Sequence, residues 1–275
     1  MKFRVALYCL LGGVPLLVPA LTVGHMFWWY VSGVILAAVF VPVALFGSRI
    51  ARGQFGVIFP VLFVLTVLTT WSEALVFLKT SPIQEHPIRN LVDETVMYLI
   101  VAVVLVILAR ALKLTRDSGK SLTRRSPAKA AGMVLICAVA YMVYYLVFGG
   151  ITYQFFTKTY YPDAPAQVAS LGLWFWGIQI ARGLLMTLAV LPAVYTLRMT
   201  RVQVSICTGL LIWVAGGLAP LLVPNELMGT TQRFIHIVEI FTQNFMLGLT
   251  AGFLLIPKSS ASESSQPRSA VAAMQ

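Results

Sequence analysis

A chain of 275 residues with 59% hydrophobic and only 11% charged side chains cannot hide its apolar surface from water, and a mean hydropathy of +0.87 excludes a soluble domain. The net charge of +11 would fit a nucleic-acid partner only if the cations clustered on one polar surface. They fall instead in the turns between apolar runs, which excludes nucleic acid and leaves an all-α polytopic membrane protein.

Eight runs of about 20 residues match a hydrocarbon core about 30 Å thick. They lie near residues 4–23, 27–47, 55–77, 91–112, 132–150, 173–197, 204–223 and 234–256, within a single transmembrane domain over 1–256. Lys2 and Arg4 precede the first run. Pro19-Ala20-Leu21 at its end faintly resembles a signal-peptide cleavage site, but the run is long and another follows after a short turn, so a retained helix is expected.

Arg49 and Arg52 follow the second run. The 113–129 connection after the fourth carries Lys113, Arg116, Lys120, Arg124, Arg125 and Lys129, and Arg198 and Arg201 follow the sixth. The alternate turns hold only Lys79, Arg89, Lys158 and Arg233. This asymmetry predicts both termini in the cytoplasm and the protein in the cytoplasmic membrane. The 113–129 connection then reads as an anchor on anionic lipid. The Ser- and Ala-rich segment 257–275 is expected to be a disordered cytoplasmic tail.

Acids are distributed the other way. Glu73, Glu85, Asp93, Glu94, Asp163, Glu226 and Glu239 fall on or near the outer side with His25, His86 and His236, leaving Asp117 and Glu263 inside. Insertion does not demand this bias, because acids carry little topological weight.

Gly and Pro punctuate several runs. Pro15-Leu16-Leu17-Val18-Pro19 is echoed by Pro220-Leu221-Leu222-Val223-Pro224. Chance explains such an echo as readily as duplication, but both sites predict kinks or early helix ends, as do Pro60 and Pro192. Cys9, Cys137 and Cys207 form no CxxC pair and read as apolar fillers. The aromatics at 27–30, 153–161 and 174–176 read as an interfacial belt.

The polar side chains inside the spans are the useful signal. In the last run, Arg233, His236, Glu239 and Gln243 follow one another at three, three and four residues, one stripe of a helix, with Asn244 beside them. Arg182 lies deep in the sixth run with Gln179 three residues before it, and Glu73 closes the third. Ionisable groups at membrane depth need a partner or a wet cavity. Arg182 is therefore expected to reach Glu73, Glu239 or both, and Tyr141, Tyr144 and Tyr145 to find hydroxyl partners nearby.

The expected site is thus Arg182, Glu239, Glu73, His236, Gln179, Gln243 and Asn244, arranged around an outward-facing polar pocket. Its leading function is transport or binding of a small anionic or lipid-derived solute. One alternative is a membrane-embedded enzyme acting at the outer face on a lipid-linked substrate, with Glu239 or Glu73 as base. Another is an accessory or assembly protein whose buried ion pair is purely structural. His236 and Glu239 have a spacing that can share a metal, but their order reverses the usual Glu-x-x-His pair and Arg182 and Arg233 would repel a cation, so neither metal nor cofactor is expected.

Overall fold

The computed structural model describes residues 1–77, 82–116, 125–225 and 228–257. Within them the chain is almost entirely helical, and eight helices are long and apolar enough to cross a membrane: Lys2–Val23, Met26–Phe46, Ala51–Leu75, Pro87–Ala111, Pro127–Thr157, Leu173–Thr196, Arg201–Leu222 and Thr230–Leu255. These are the first to eighth spans. The proposed tail and the middle of the 113–129 connection lie outside the described residues.

The spans form a closed ring in the order fifth, eighth, seventh, second, first, fourth, third, sixth, and the sixth returns to the fifth. The third, sixth and seventh lean inward and are the most buried. Their inward faces carry Leu62, Leu65, Met186, Val190, Leu211 and Ile212, whereas Leu135, Ile136, Val103 and Ile107 point outward, as a lipid-facing surface requires.

Several helices start before the expected runs, the third, fourth and eighth by four residues and the fifth by five. The fifth helix extends beyond the expected 132–150 on both sides, to Pro127–Thr157, because Pro127 opens it in its first turn and the aromatic stretch after Gly150 stays helical. The eighth begins at Thr230 rather than Phe234, which sinks Glu239 to about 14 Å from its end instead of about 7 Å.

Three of the four expected sites interrupt the regular α-helix, in different ways. Pro15 accompanies a tight 3₁₀ turn at Val14–Leu16, while Gly216 and Gly217 sit in a wide π turn at Val214–Leu218 just before Pro220. The two halves of the sequence echo therefore have different backbones. A second π turn, Phe63–Leu68, follows Pro60, whereas the sixth span runs through Pro192 unbroken.

A wide turn loosens the helical ladder, and in a membrane the loosened carbonyls must find donors. The seventh span receives them from three neighbours. Ser32 Oγ donates to the Ala219 carbonyl at 2.8 Å, Thr66 Oγ1 to Ala215 at 2.9 Å and Asn244 Nδ2 to Ile212 at 3.4 Å. Replacing Thr66 by the isosteric Val should lower stability by about 1 kcal/mol, read as a drop in the thermal midpoint of the detergent-purified protein. Thr69→Val gives the comparison, since Thr69 bonds only within its own helix, to Leu65.

The seventh and eighth spans approach most closely. Ser205 and Gly209 face Gly252 and Gly248, small residues four apart on both helices. A two-residue turn, Gly24 and His25 with φ of 78° and 58°, joins the first two spans.

Candidate functional site

The polar residues gather in the half of the bundle that carries all the described carboxylates, the acidic end. They form two groups flanking Tyr141 of the fifth span. In the first, Arg182 starts about 14 Å inside the sixth span and extends toward the surface. Its Nη1 meets Glu73 Oε1 at 2.7 Å and donates to Gln179 Oε1 at 3.3 Å. The Arg182 side chain is 11% exposed and that of Glu73 41%, so the pair joins a buried cation to a half-open carboxylate. The guanidinium also lies 5.7 Å from the Tyr141 ring centre, a cation–π contact. Among the described residues, Arg182 Nε and Gln179 Nε2 are buried without a hydrogen-bond acceptor.

The second group is built on one face of the eighth span. His236 Nδ1 and Glu239 Oε2 are 3.0 Å apart, and Gln243 Nε2 donates to Glu239 Oε1 at 3.1 Å. Both carboxylate oxygens are thereby engaged, with the imidazole nitrogen Nδ1 oriented by one of them. The Tyr161 ring packs 5.9 Å from that of His236. Burial, and secondarily the Glu239 charge, raise the Tyr161 phenol above its ordinary pKa, so it remains a protonated donor at the rim.

No protein-family model, curated protein or solved structure matches this chain. What the site does must be read from its own side chains.

The expected residues divide. Arg182 pairs with Glu73 rather than Glu239, whose charged-residue contact among the described residues is with His236. Glu239 nevertheless lies within electrostatic reach of Tyr141 and Tyr145, as do Arg182 and Glu73, so the two groups share one polar region. Arg233 leaves the stripe. Its long side chain turns back, and Nη1 donates to the carbonyls of Leu221 and Leu222 at 3.3 and 3.2 Å, closing the end of the seventh span. Asn244 faces the seventh span, where a Cβ on Gly216 would come 3.2 Å from its Nδ2. Tyr144 binds Thr250 Oγ1 at 2.8 Å, away from both groups. Among the described residues no three His, Cys, Asp or Glu side chains come together as a metal site.

The hollow that reaches Glu239 opens sideways. A groove of about 430 Å³ runs between the fifth and eighth spans, lined by Thr152, Phe156, Thr230, Phe234, Val238 and Glu239 among others. Phe156, Phe234 and Val238 are 58, 53 and 64% exposed, so its mouth faces the bilayer. Thr231 and Ile235 complete the wall.

Sequence reasoning misses two contributors. Gly149 of the fifth span sits opposite the second group, where even a Cβ would come 3.4 Å from Glu239 Oε1 and 3.5 Å from Gln243 Nε2. The π turn Tyr153–Thr157 carries Phe156 on the opposite wall of the groove. The Gly149-Gly150 pair is the available signal for the first; for the second, Phe156 belongs to the aromatic stretch 153–161, but the π turn that positions it has no local signal.

Proposed function

We propose that this multi-pass membrane protein binds a lipid-derived molecule at its acidic end, with the chain of the ligand in the groove between the fifth and eighth spans and its polar head at Glu239 and His236. One observation carries the reading: a largely apolar groove that opens on the bilayer, with threonines in its wall, also has a carboxylate there. A carboxylate buried beside hydrocarbon is costly unless something polar meets it. His236 and Gln243 meet it from one side and the groove leaves the other accessible. Of the two ligand classes compatible with the sequence, a free anion is the less favoured, because Glu73 already neutralises Arg182.

In this reading the acidic end faces outward and both termini are cytoplasmic, as the excess of Lys and Arg at the opposite end supports. The ligand then enters from the outer leaflet of the cytoplasmic membrane. Head groups that donate hydrogen bonds, amines or hydroxyls, suit Glu239 best.

Photoactivatable lipid with a diazirine in its chain provides the test. In nanodiscs, crosslinks should concentrate at residues 152–156 and 230–238. Val238→Trp, which fills the groove from its lipid-facing side, should reduce labelling there at least fivefold, and Glu239→Gln should alter the preference among head groups. Labelling spread evenly over all eight spans would overturn the proposal.

A second use of the same site is catalysis on the bound head group, which the His236–Glu239 contact favours: an imidazole oriented by a carboxylate is a general base or acid in waiting. Transport and catalysis separate experimentally. Sealed liposomes would accumulate or redistribute an unaltered molecule, whereas an enzyme would release a modified product in detergent with no compartment.

A further inference from the structure

The opposite end of the bundle has its own hollow. A groove of about 590 Å³ lies between the fifth and sixth spans, walled by Ala130, Val134, Leu135, Leu184, Leu188 and Leu191, with Arg125 at its rim. Leu135 and Leu188 are 58 and 44% exposed, so this groove too opens on hydrocarbon.

Arg125 at its rim has a second guanidinium in its neighbourhood. Arg125 Nε donates to the carbonyl of Leu254 and Arg201 Nη2 to that of Phe253, so two guanidiniums share the last turn of the eighth span. The negative end of that helix dipole attracts both, and the Leu254 bond fixes the Arg125 head. Arg201 Nε is buried without an acceptor among the described residues. Exposed Lys129 follows Arg125 by four residues.

Nothing in the described protein balances this charge. Glu73, Glu85, Asp93, Glu94, Asp163 and Glu239, all the described carboxylates, lie in the other half of the bundle. Two guanidiniums on the last turn of one helix, with no described carboxylate at their end, call for an anion from outside. The adjoining groove is aliphatic and of membrane depth, so the anion that fits arrives attached to a hydrocarbon chain.

We propose that the groove between the fifth and sixth spans is a binding site for an anionic phospholipid of the leaflet at the basic end, its phosphate held by Arg125 beside Arg201 and an acyl chain lying along Ala130, Val134, Leu184 and Leu188. The site is separate from the Glu239 groove, lies at the other end of the bundle and does not depend on what the protein does there.

Native mass spectrometry of the detergent-purified protein, supplied with phosphatidylglycerol or phosphatidylcholine of identical chains, tests this. The wild type should retain phosphatidylglycerol about tenfold more than phosphatidylcholine. Arg125→Gln keeps a donor for the Leu254 carbonyl but removes the charge, and should erase the preference; Arg125→Lys should keep most of it. Leu188→Trp, a change on a lipid-facing surface, should block the groove and lower retention of both lipids. Arg52→Gln, elsewhere on the basic end, should change nothing. Equal retention of the two lipids by the wild type, or an undiminished preference in Arg125→Gln, would overturn the charge recognition. Unaltered retention in Leu188→Trp would overturn the groove.

Discussion

Replacing Glu73 by Leu should destabilise the protein by about 3 kcal/mol, more than replacing its partner Arg182 by Met, which should cost about 1 kcal/mol. The asymmetry follows from exposure. Without Glu73, an 11% exposed guanidinium is left with Gln179 Oε1 and the Tyr141 ring, and Arg cannot shed its proton to escape the cost. Without Arg182, the remaining carboxylate is 41% exposed and can hydrate. The double variant Glu73→Leu/Arg182→Met removes both charges and should return to within about 1 kcal/mol of wild type. Thermal midpoints of the four purified proteins check the order: Glu73→Leu lowest, then Arg182→Met, with the double variant above Glu73→Leu. A double variant less stable than both singles would mean that the two residues do not act as a pair.

How much of this was readable beforehand depends on whether a feature is local. The eight spans are visible because each is a continuous apolar run, and the candidate polar residues because a charge inside such a run is conspicuous. Which charges meet is different. Arg182 is equally near Glu73 and Glu239 when depth alone is counted, and the choice is made by the ring order, which sets the sixth span against the third and the fifth. No local pattern encodes that order. Arg233 shows the limit of periodicity in another way. The three-residue spacing does put its Cβ on the face of His236, but the side chain is long enough to reach the carbonyls at the end of the seventh span. The lateral groove depends on where two helices separate, and only a three-dimensional arrangement carries that information.

The arrangement makes the two ends of the bundle chemically unlike. At the acidic end Arg182 is matched by Glu73, and Glu239, held by His236 and Gln243, borders a hollow. At the basic end Arg125 and Arg201 cap helix carbonyls, and Arg125 borders a hollow of its own. On the two proposals above, a lipid with a donor head group suits the first and a phosphate head group the second, and the fifth span walls both hollows.

The position of Glu239 rests on the seam between the seventh and eighth spans, and Gly248→Leu should therefore abolish accumulation of the folded protein. A Cβ on Gly248 would stand 2.4 Å from the Cα and N of Gly209 and 2.6 Å from the Thr208 carbonyl carbon, all backbone atoms that no rotamer change can move aside. Even Gly248→Ala must push the helices apart, at a cost of about 3 kcal/mol. In lipid there is no hydrophobic force between helices to compensate; close backbone approach is itself the attraction. Gly56→Leu and Gly132→Leu provide the contrast, since a Cβ at either meets nothing within 4 Å, and both should accumulate normally. Gly248→Ala carries the more informative result. Moving the eighth span off the seventh displaces His236, Glu239 and Gln243 together while leaving the Arg182–Glu73 pair between the third and sixth spans in place. The variant should thus lose photolabelling in the Glu239 groove yet still respond to Glu73→Leu with a further drop in thermal midpoint. Labelling retained at the wild-type level in Gly248→Ala would mean that the groove is set by the fifth span alone.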